Sequence, residues 1–469
     1  MLLTLASSEF GHAADILLPD LGDASTGLIT PRQEYELGQK WLRLYRAKVP
    51  TSSDPFLQSY TEDMIRGLSY YSDLDDKRLS VLVIANQALN AFAVPGGVIG
   101  VHTGLFEYAD TEDQFASVLA HELAHLSQRH YARRVADQKE KALSTMAGLL
   151  ASILLAATAG GDVGIAAISA AQAVAIESQL RFSRQMEQEA DRIGMETMVR
   201  SGKNPEAMGD MFENMLKSQR YSQRPPEFLL THPLTESRVS DAKVRALKYD
   251  QKFHPQSLEY QFARIHAVLA NENNTQLAIR RLENELEGNK YPQDVATYGL
   301  VVALTRANKS EAAKKLLTPL LATAPENLYY LIAMAEIEAE EKNFDAALKR
   351  LREQIKRFPK HHALNIRFAE ILMKASKYEE CENLLLAHSQ RRPKDDYVWY
   401  LLAEVHGLVG NIFAVHTARA EYFLLNGLYD KAIIQLENAQ KIVKKDKYLL
   451  ARVEQRLKYA MKLKVEDRL

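Results

Sequence analysis

The sequence has 469 residues, of which 46% are hydrophobic, so it is long and apolar enough for two or three domains with buried cores, and composition excludes a wholly disordered chain. Its 59 Lys and Arg residues against 60 Asp and Glu residues give a net charge of -1, which offers no global electrostatic reason to bind nucleic acid or an anionic bilayer. The single cysteine, Cys381, excludes an intramolecular disulfide and a cysteine-based zinc cluster, so a metal must be bound by His, Asp or Glu.

The N-terminal segment from Met1 to Ala14 starts with a short apolar stretch and ends in Gly-His-Ala-Ala, which resembles a signal-peptide cleavage site. No basic residues precede the apolar stretch. Two interpretations fit this pattern: the end of an export signal whose start lies upstream, or an ordinary disordered terminus. We predict a partial signal peptide over residues 1–14.

The only β-like stretch of the upstream half runs from Leu79 to Val101 and contains VLVIA, NAFAV and GVIGV, separated by turn residues. An extended substrate could pair with the last of these segments by β-augmentation, a mode that reads the backbone more than the sequence. We therefore predict a substrate-binding edge strand formed by Val98, Ile99, Gly100 and Val101.

The HELAH motif, His121-Glu122-Leu123-Ala124-His125, lies in a segment with helical periodicity. Residues i and i+4 of a helix lie on one face about 6 Å apart, so both imidazoles can reach a single Zn²⁺. Glu122 projects about 100° away, where it can act on a zinc-bound water as general base. His130 turns to another face and could support the site without binding the metal. The alternative is that both motif histidines are ordinary surface or helix-contact residues, so a third ligand is needed.

Two apolar runs, Met146 to Ala159 and Val163 to Ile176, follow the motif. Each has about 14 residues, fewer than the roughly 20 of a spanning helix. Two interpretations fit: a helical hairpin packed on the core, or a flexible lid that contacts a membrane or an unfolded substrate.

The third ligand is sought in the acidic segment RFSRQMEQEADRIG, Arg181 to Gly194. Glu187 and Asp191 share one helical face, whereas Glu189 lies about 200° round from Glu187 and should point away. Glu187 would complete a His₂Glu ligand set, and Asp191 could hydrogen-bond a ligand histidine or stabilise a protonated intermediate. Alone the segment would be a solvated acidic helix face, but together with HELAH it indicates zinc.

The downstream half repeats with a period of 34 residues. A stacked helix-turn-helix unit needs a small residue where its helices touch and a proline that closes its second helix, and this pattern resembles the tetratricopeptide repeat. Cys381 stands at a small-residue position, so we predict a buried helix contact and not a nucleophile. The proline series is Pro292, Pro325, Pro359 and Pro393, and the small-residue series are Ala335, Ala369 and Ala403, and Ala313, Ala347 and Cys381.

HELAH followed by EQEAD resembles the HtpX and CAAX-prenyl-protease family of gluzincin metallopeptidases. The segments from Asn90 to Leu105 and from Thr231 to Arg238, THPLTESR, resemble the active-site edge strand and the His-Pro-x4-Arg segment of that family. The resemblance implies that one Zn²⁺ per subunit is bound by His121, His125 and Glu187, with Glu122 as base and Asp191 as second acid.

The resemblance also draws attention to His232 in the His-Pro segment. Either His232 latches onto the zinc and keeps the enzyme latent, or it hydrogen-bonds the tetrahedral intermediate. Arg238 could hold that segment or stabilise the oxyanion, and a surface ion pair is an equally simple interpretation.

We therefore expect a mainly α protein: a gluzincin-type α+β catalytic domain with a small sheet over 15–252, followed by an α-solenoid of tetratricopeptide repeats over 253–469. With the repeats behind the peptidase and no membrane spans, the resemblance implies a periplasmic zinc endopeptidase. It would degrade misfolded or stalled outer-membrane β-barrel proteins and assist their assembly, with the repeats docking on the β-barrel assembly machinery. The alternatives are a chaperone or assembly scaffold with a latent peptidase half, and a cytoplasmic housekeeping protease. We predict no nucleic-acid partner.

Overall fold

Twenty-two helices and three strands form the described part of the protein, so the expected mainly α architecture with a small sheet is confirmed. The computed structural model describes residues 29–135, 142–159, 182–221, 226–250, 254–288 and 290–467. The predicted signal segment 1–14, the second apolar run 163–176 and the predicted domain boundary at 252/253 lie outside these residues.

The upstream half contains the three strands and ten of these helices. In chain order they are α1 (Pro31–Arg46), α2 (Pro55–Tyr71), β1 (Ser80–Ile84), β2 (Ala91–Val94), β3 (Val98–His102), α3 (Thr103–Tyr108), α4 (Glu112–Ser127), α5 (His130–Val135), α6 (Ala142–Ala159), α7 (Arg184–Arg200), α8 (Glu206–Tyr221), α9 (Glu227–Thr231) and α10 (Glu236–Ala246).

Hydroxyl side chains fix where three of these helices begin. Thr111 accepts a hydrogen bond from the Gln114 amide at the start of α4, and Ser183 does the same for the Met186 amide at the start of α7. Thr235 caps α10 through the amide of Arg238. Such caps satisfy amides that would otherwise lack a partner, so they set the register of the site-bearing helices.

The three strands form one sheet in the order β1-β3-β2. β3 pairs with β1 in parallel and with β2 antiparallel, so Ile99 faces both Val81 and Ala93. The prediction that Val98, Ile99, Gly100 and Val101 form a substrate edge strand is therefore wrong, because both hydrogen-bonding sides of this strand are already used. Of the two edge strands, β2 is the one that packs against α4.

α4 runs through the centre of the upstream core and packs against α7. Every residue from Gln114 to His125 is buried, which is typical of a helix enclosed on all sides. Leu119 and Leu123 of α4 meet Met195 and Met198 of α7 in one hydrophobic cluster. The two helices that carry the motif residues are therefore held by core packing.

The first apolar run forms α6, which packs on α1 and α5. Met146, Leu150 and Leu154 are buried, and the Trp41 indole Nε1 of α1 donates a hydrogen bond to the Leu150 carbonyl at 2.7 Å. For this first apolar run, the structure agrees with the interpretation of a helix packed on the core. No described helix is both long enough and apolar enough to cross a membrane.

The downstream half is a run of paired helices, as the 34-residue period predicts. Cys381 is fully buried with its thiol 3.4 Å from the Ala369 carbonyl, and burial raises the pKa of this thiol to about 12. The prediction of a buried helix contact at Cys381 is confirmed. The helices are α11 (Leu258–Asn271), α12 (Thr275–Glu287), α13 (Gln293–Arg306), α14 (Ser310–Thr323), α15 (Leu328–Glu340), α16 (Phe344–Arg357), α17 (His362–Lys374), α18 (Tyr378–Arg391), α19 (Asp396–Val409), α20 (Ile412–Leu425), α21 (Tyr429–Ile442) and α22 (Lys447–Glu466).

The repeat helices touch the upstream half at several places, of which two lie far apart along the array. Phe56 of α2 is buried among the repeats, where its ring stacks on Tyr329 with the centroids 5.0 Å apart. At the other end of the array, Arg43 of α1 forms hydrogen bonds of 2.7 and 3.0 Å with Asp467, just after α22. The array therefore folds back onto the peptidase half.

Candidate metal centre

Side chains from three segments converge at one buried point. α4 supplies His121 and His125, α7 supplies Glu187, and the residue that follows α9 is His232. One ligand atom from each lies within 4.8 Å of the ligand atom of every other, and all four residues are buried. A metal ion is the usual reason for such a concentration of imidazole and carboxylate in a protein interior.

The spacing among the three predicted ligands fits a tetrahedral ion. The His121 and His125 Nε2 atoms are 3.0 Å apart, and each lies 3.5 Å from an oxygen of Glu187. Tetrahedral zinc bonds of 2.0–2.1 Å place ligand atoms roughly 3.3 Å apart. The residues present therefore fit the metal that the motif predicts, and their donor set of imidazole and carboxylate suits zinc.

His232 stands at the fourth corner of this group. Its Nδ1 lies 3.4 Å from His121 Nε2 and 3.0 Å from Glu187 Oε1, while its Nε2 lies 3.5 Å from Glu122 Oε1. The rings of Phe182 and Phe228 lie nearly parallel to its imidazole, with centroids 5.3 and 4.6 Å away. His232 thus supplies a fourth candidate ligand atom to this group. The sequence did not single out either phenylalanine, since an isolated aromatic carries no periodic signal.

Glu122 faces the same point but is not one of the four converging groups. It is 1% exposed, and its Oε1 has no hydrogen-bond partner among the described residues. Burial raises the pKa of Glu122 to about 8, and the charge of Glu187 adds to that rise, while His121 and a hydrogen bond with the Ala93 backbone of β2 lower it. A carboxylate with an unpaired oxygen beside the ligands can accept a proton there.

Asp191 and Arg238 stand behind His121. Asp191 Oδ1 is 3.0 Å from His121 Nδ1, the ring nitrogen that faces away from the ligand group. Arg238 binds Asp191 with two hydrogen bonds of 2.8 and 2.7 Å, and its Nη1 lies 2.8 Å from both Glu187 Oε2 and the Pro233 carbonyl. Burial alone would raise the pKa of Asp191, but the Arg238 guanidinium brings it below its usual value. The Arg238 side chain is only 4% exposed, so the interpretation as a surface ion pair is wrong.

A parallel arrangement supports His125 from its other nitrogen. His130 Nδ1 lies 2.8 Å from His125 Nδ1, and His130 Nε2 lies 3.3 Å from Glu189. Arg133 binds the same carboxylate at 2.9 Å. Burial lowers the pKa of His130, which favours the neutral ring. Glu189 points away from the four ligand atoms, as its spacing predicts, but it ends this supporting chain, a role that helical spacing does not show.

Comparisons with known proteins agree with this site and fold. The model of peptidase family M48 matches residues 53–246, and a tetratricopeptide-repeat model matches residues 338–405. The β-barrel assembly-enhancing protease of Escherichia coli (strain K12) is 34% identical over 458 residues, which cover 97% of this chain and 93% of that protein. The Yersinia pestis protein of the same name is 34% identical over 447 residues, which cover 95% and 91%. A putative one from Vibrio cholerae is 32% identical over 450 residues, which cover 95% and 92%.

Proposed function

The chain belongs to the family of β-barrel assembly-enhancing proteases and is a metallopeptidase, and from this premise we propose a zinc endopeptidase that degrades misfolded or stalled outer-membrane β-barrel proteins in the periplasm and also assists their assembly. The observation that carries the proposal is the buried convergence of His121, His125 and Glu187 beside a carboxylate with an unpaired oxygen, Glu122. The family and the repeats support the substrate class.

Each residue of the site has a distinct role in this proposal. His121, His125 and Glu187 hold the zinc, which when bound would lower the pKa of a water toward 7 and polarise the scissile carbonyl. Glu122 Oε1 would accept a proton from the attacking water and return it to the leaving amine. Asp191 fixes the ring of His121, because it hydrogen-bonds the nitrogen opposite the ligand atom. Arg238 links Asp191, Glu187 and Pro233 and so holds the His232 segment against the site.

The substrate backbone pairs with β2 in this proposal, in place of the predicted pairing with β3. β2 is an edge strand packed on α4, and Ala93 within it is hydrogen-bonded to Glu122. A polypeptide added to that edge would therefore run past the base. Unassembled β-barrel proteins carry unpaired strands, which suit recognition through the backbone.

A chaperone or assembly scaffold with a latent peptidase half is the second candidate. The position of His232 at the fourth corner of the ligand group favours it, because a fourth side-chain ligand excludes the water. The repeats offer a surface for protein partners, which we propose to be the β-barrel assembly machinery.

Removal of the metal tests the proposed enzyme. We expect the chelator 1,10-phenanthroline to lower cleavage of an unfolded outer-membrane β-barrel protein by about 10²-fold or more, because the metal contributes several kcal/mol of transition-state stabilisation. One equivalent of Zn²⁺ should restore the rate, and elemental analysis should find one zinc per chain. A folded soluble protein serves as the control substrate. Undiminished cleavage by the metal-free protein would contradict the proposal.

His130 should hold the zinc site together through His125. We expect His130→Ala to weaken zinc binding by about 10- to 100-fold, since groups that orient a ligand from behind have effects of this size. His130→Gln should recover part of the affinity, because its carbonyl can accept the proton that His125 Nδ1 donates. Competition with a coloured chelator measures Kd. An unchanged Kd in His130→Ala would show that this contact does not position the ligand.

A further inference from the structure

A groove of about 590 Å³ lies between the peptidase half and the last repeats. The N-terminal part of β1 with α1 and α2 forms one wall, and α20, α22 and the loop between α18 and α19 form the other. This volume falls within the roughly 300–1,000 Å³ of ligand-binding clefts. We call it the cationic groove.

Four of the five acidic side chains of the cationic groove contact a basic side chain. Glu62 and Asp395 both contact Arg392, at 2.7 and 2.8 Å, and Glu421 pairs with Arg456. Asp54 contacts His266, whereas Asp396 accepts a hydrogen bond from the neutral Asn426 amide and so keeps one uncompensated negative charge.

Several cations of the groove have no such partner. Within the described ranges, no carboxylate forms an ion pair with any of four lining cations: Arg46, Lys77, Arg391 and Lys394. Arg46 in addition has a buried Nε without a hydrogen-bond partner in that part of the chain. The groove therefore carries uncompensated positive charge, in a protein whose net charge is only -1. Anionic groups of a ligand would supply the missing partners.

β1 gives the same groove an open strand edge. The Ser52 amide donates to the Val83 carbonyl at 2.8 Å and Thr51 bridges to Ile84, so a short antiparallel partner covers one end of β1. At the other end, the Gln58 side-chain amide donates to the Val81 carbonyl at 3.2 Å. Ser80 and Val81 are half-buried and line the groove. An extended chain could continue the pairing from the point where Ser52 leaves it.

We propose that the cationic groove binds an extended, acidic segment of the polypeptide substrate, at a place separate from the metal centre. The strand edge favours a polypeptide, because its backbone groups match the repeat of a peptide and not that of a nucleic acid. β1 and β2 are opposite edges of the sheet, two strand spacings or about 10 Å apart. A substrate held at β1 would raise the effective concentration of its remaining chain at β2. The higher effective concentration at β2 matters only if the proposed endopeptidase function holds. The binding of an acidic segment to the groove does not depend on that function.

Binding can be measured without cleavage in zinc-loaded Glu122→Gln protein. The probes are a fluorescein-labelled ten-residue peptide of alternating Asp and Thr and the same peptide with Asn for Asp, followed by anisotropy. We expect the Asp peptide to bind at least about tenfold more tightly, and its affinity to fall as salt rises. The triple variant Lys77→Gln, Arg391→Gln and Lys394→Gln should remove this preference.

The control is a triple variant with the same residue types at exposed positions outside the groove: Arg280→Gln, Lys444→Gln and Lys445→Gln. It should keep the affinity within about twofold. Equal binding of the Asp and Asn peptides, or an unaltered preference in the groove variant, would overturn the proposal. Because this experiment measures binding, a failure of the groove proposal can be distinguished from a failure of the proposed endopeptidase function. The latter would appear as a wild-type protein that cleaves nothing.

The position of the peptide can be tested with one introduced cysteine. Cys381 is buried, so Ser53→Cys at the exposed rim of the groove can carry a photo-crosslinker selectively. We expect the Asp peptide to crosslink there and not to the same reagent at Thr318→Cys, on the outer helix α14. Crosslinking at both positions alike, or at neither, would contradict the assigned place.

Discussion

Replacement of Glu122 by Gln is expected to lower peptide-bond hydrolysis by about 10²–10⁴-fold while zinc stays bound, because that is the contribution of a positioned general base. The amide has nearly the shape of the carboxylate but cannot accept a proton. Glu122 is not among the four converging side chains, so the ligand group stays complete. Steady-state kcat/KM for an unfolded β-barrel protein measures the loss, and elemental analysis measures the zinc.

Glu196→Gln is a matched control for this substitution, since it makes the same chemical change on an exposed side chain of α7. It should leave kcat/KM unaltered. If Glu122→Gln cleaved as fast as wild type, the base would have to be another group. If Glu122→Gln lost its zinc, the residue would be structural and the loss of activity would say nothing about proton transfer.

The same variant separates the two candidate functions. A chaperone or scaffold with a latent peptidase should keep its full effect on β-barrel assembly in Glu122→Gln, whereas an endopeptidase should lose the removal of stalled proteins. The repeats lie outside the metal centre and reach the peptidase half through contacts such as Phe56 with Tyr329 and Arg43 with Asp467. Neither contact depends on the charge of Glu122.

Local spacing predicted much of the metal centre, because its central part is built within single helices. An i, i+4 pair on α4 brings His121 and His125 together, and the same spacing on α7 places Glu187 and Asp191 on one face. Spacing also placed His130 on a different face, and the structure puts its ring against His125. The fold class and the buried state of Cys381 followed from periodicity in the same way.

The order of the strands in the sheet could not be predicted from residue spacing within single segments. A hairpin makes β2 and β3 neighbours, but only the arrival of β1 decides which of them remains an edge. β1 pairs in parallel with β3 although β2 comes between them in sequence, and nothing in the alternation of apolar residues encodes that choice. The prediction assigned substrate pairing to the last of the three segments, and sequence alone does not show that this segment becomes the central strand.

The burial of Arg238 also could not be predicted from the sequence. A single arginine after a His-Pro pair has no periodic partner, so a surface ion pair was as simple an interpretation as a role in the site. The structure places its guanidinium between Asp191, Glu187 and the Pro233 carbonyl. Such a buried charge is stable only with several partners, and those partners are what connect the two site helices to the His232 segment.

The geometry at His232 favours the latch over the stabiliser of an intermediate. A group that binds the intermediate from beside the metal should leave the fourth corner free, but Nδ1 of His232 stands within 3.4 Å of His121 Nε2 and 3.0 Å of Glu187 Oε1. The stacked rings of Phe182 and Phe228 hold the imidazole in that place. Its Nε2 also lies 3.5 Å from Oε1 of Glu122, the proposed base.

His232→Ala should therefore hydrolyse an unfolded β-barrel protein faster than wild type, by about tenfold if the latch is closed in about nine molecules of ten, because activity scales with the open fraction. Zinc should bind more weakly in this variant, since a fourth side-chain ligand is lost. His416→Ala, in the repeat helix α20, makes the same substitution far along the chain and should leave the rate unaltered. Initial rates at saturating zinc, with Kd for zinc measured in parallel, separate the two effects. A slower His232→Ala with an unaltered zinc Kd would instead assign His232 to the tetrahedral intermediate, because only a group that helps the reaction slows it when removed.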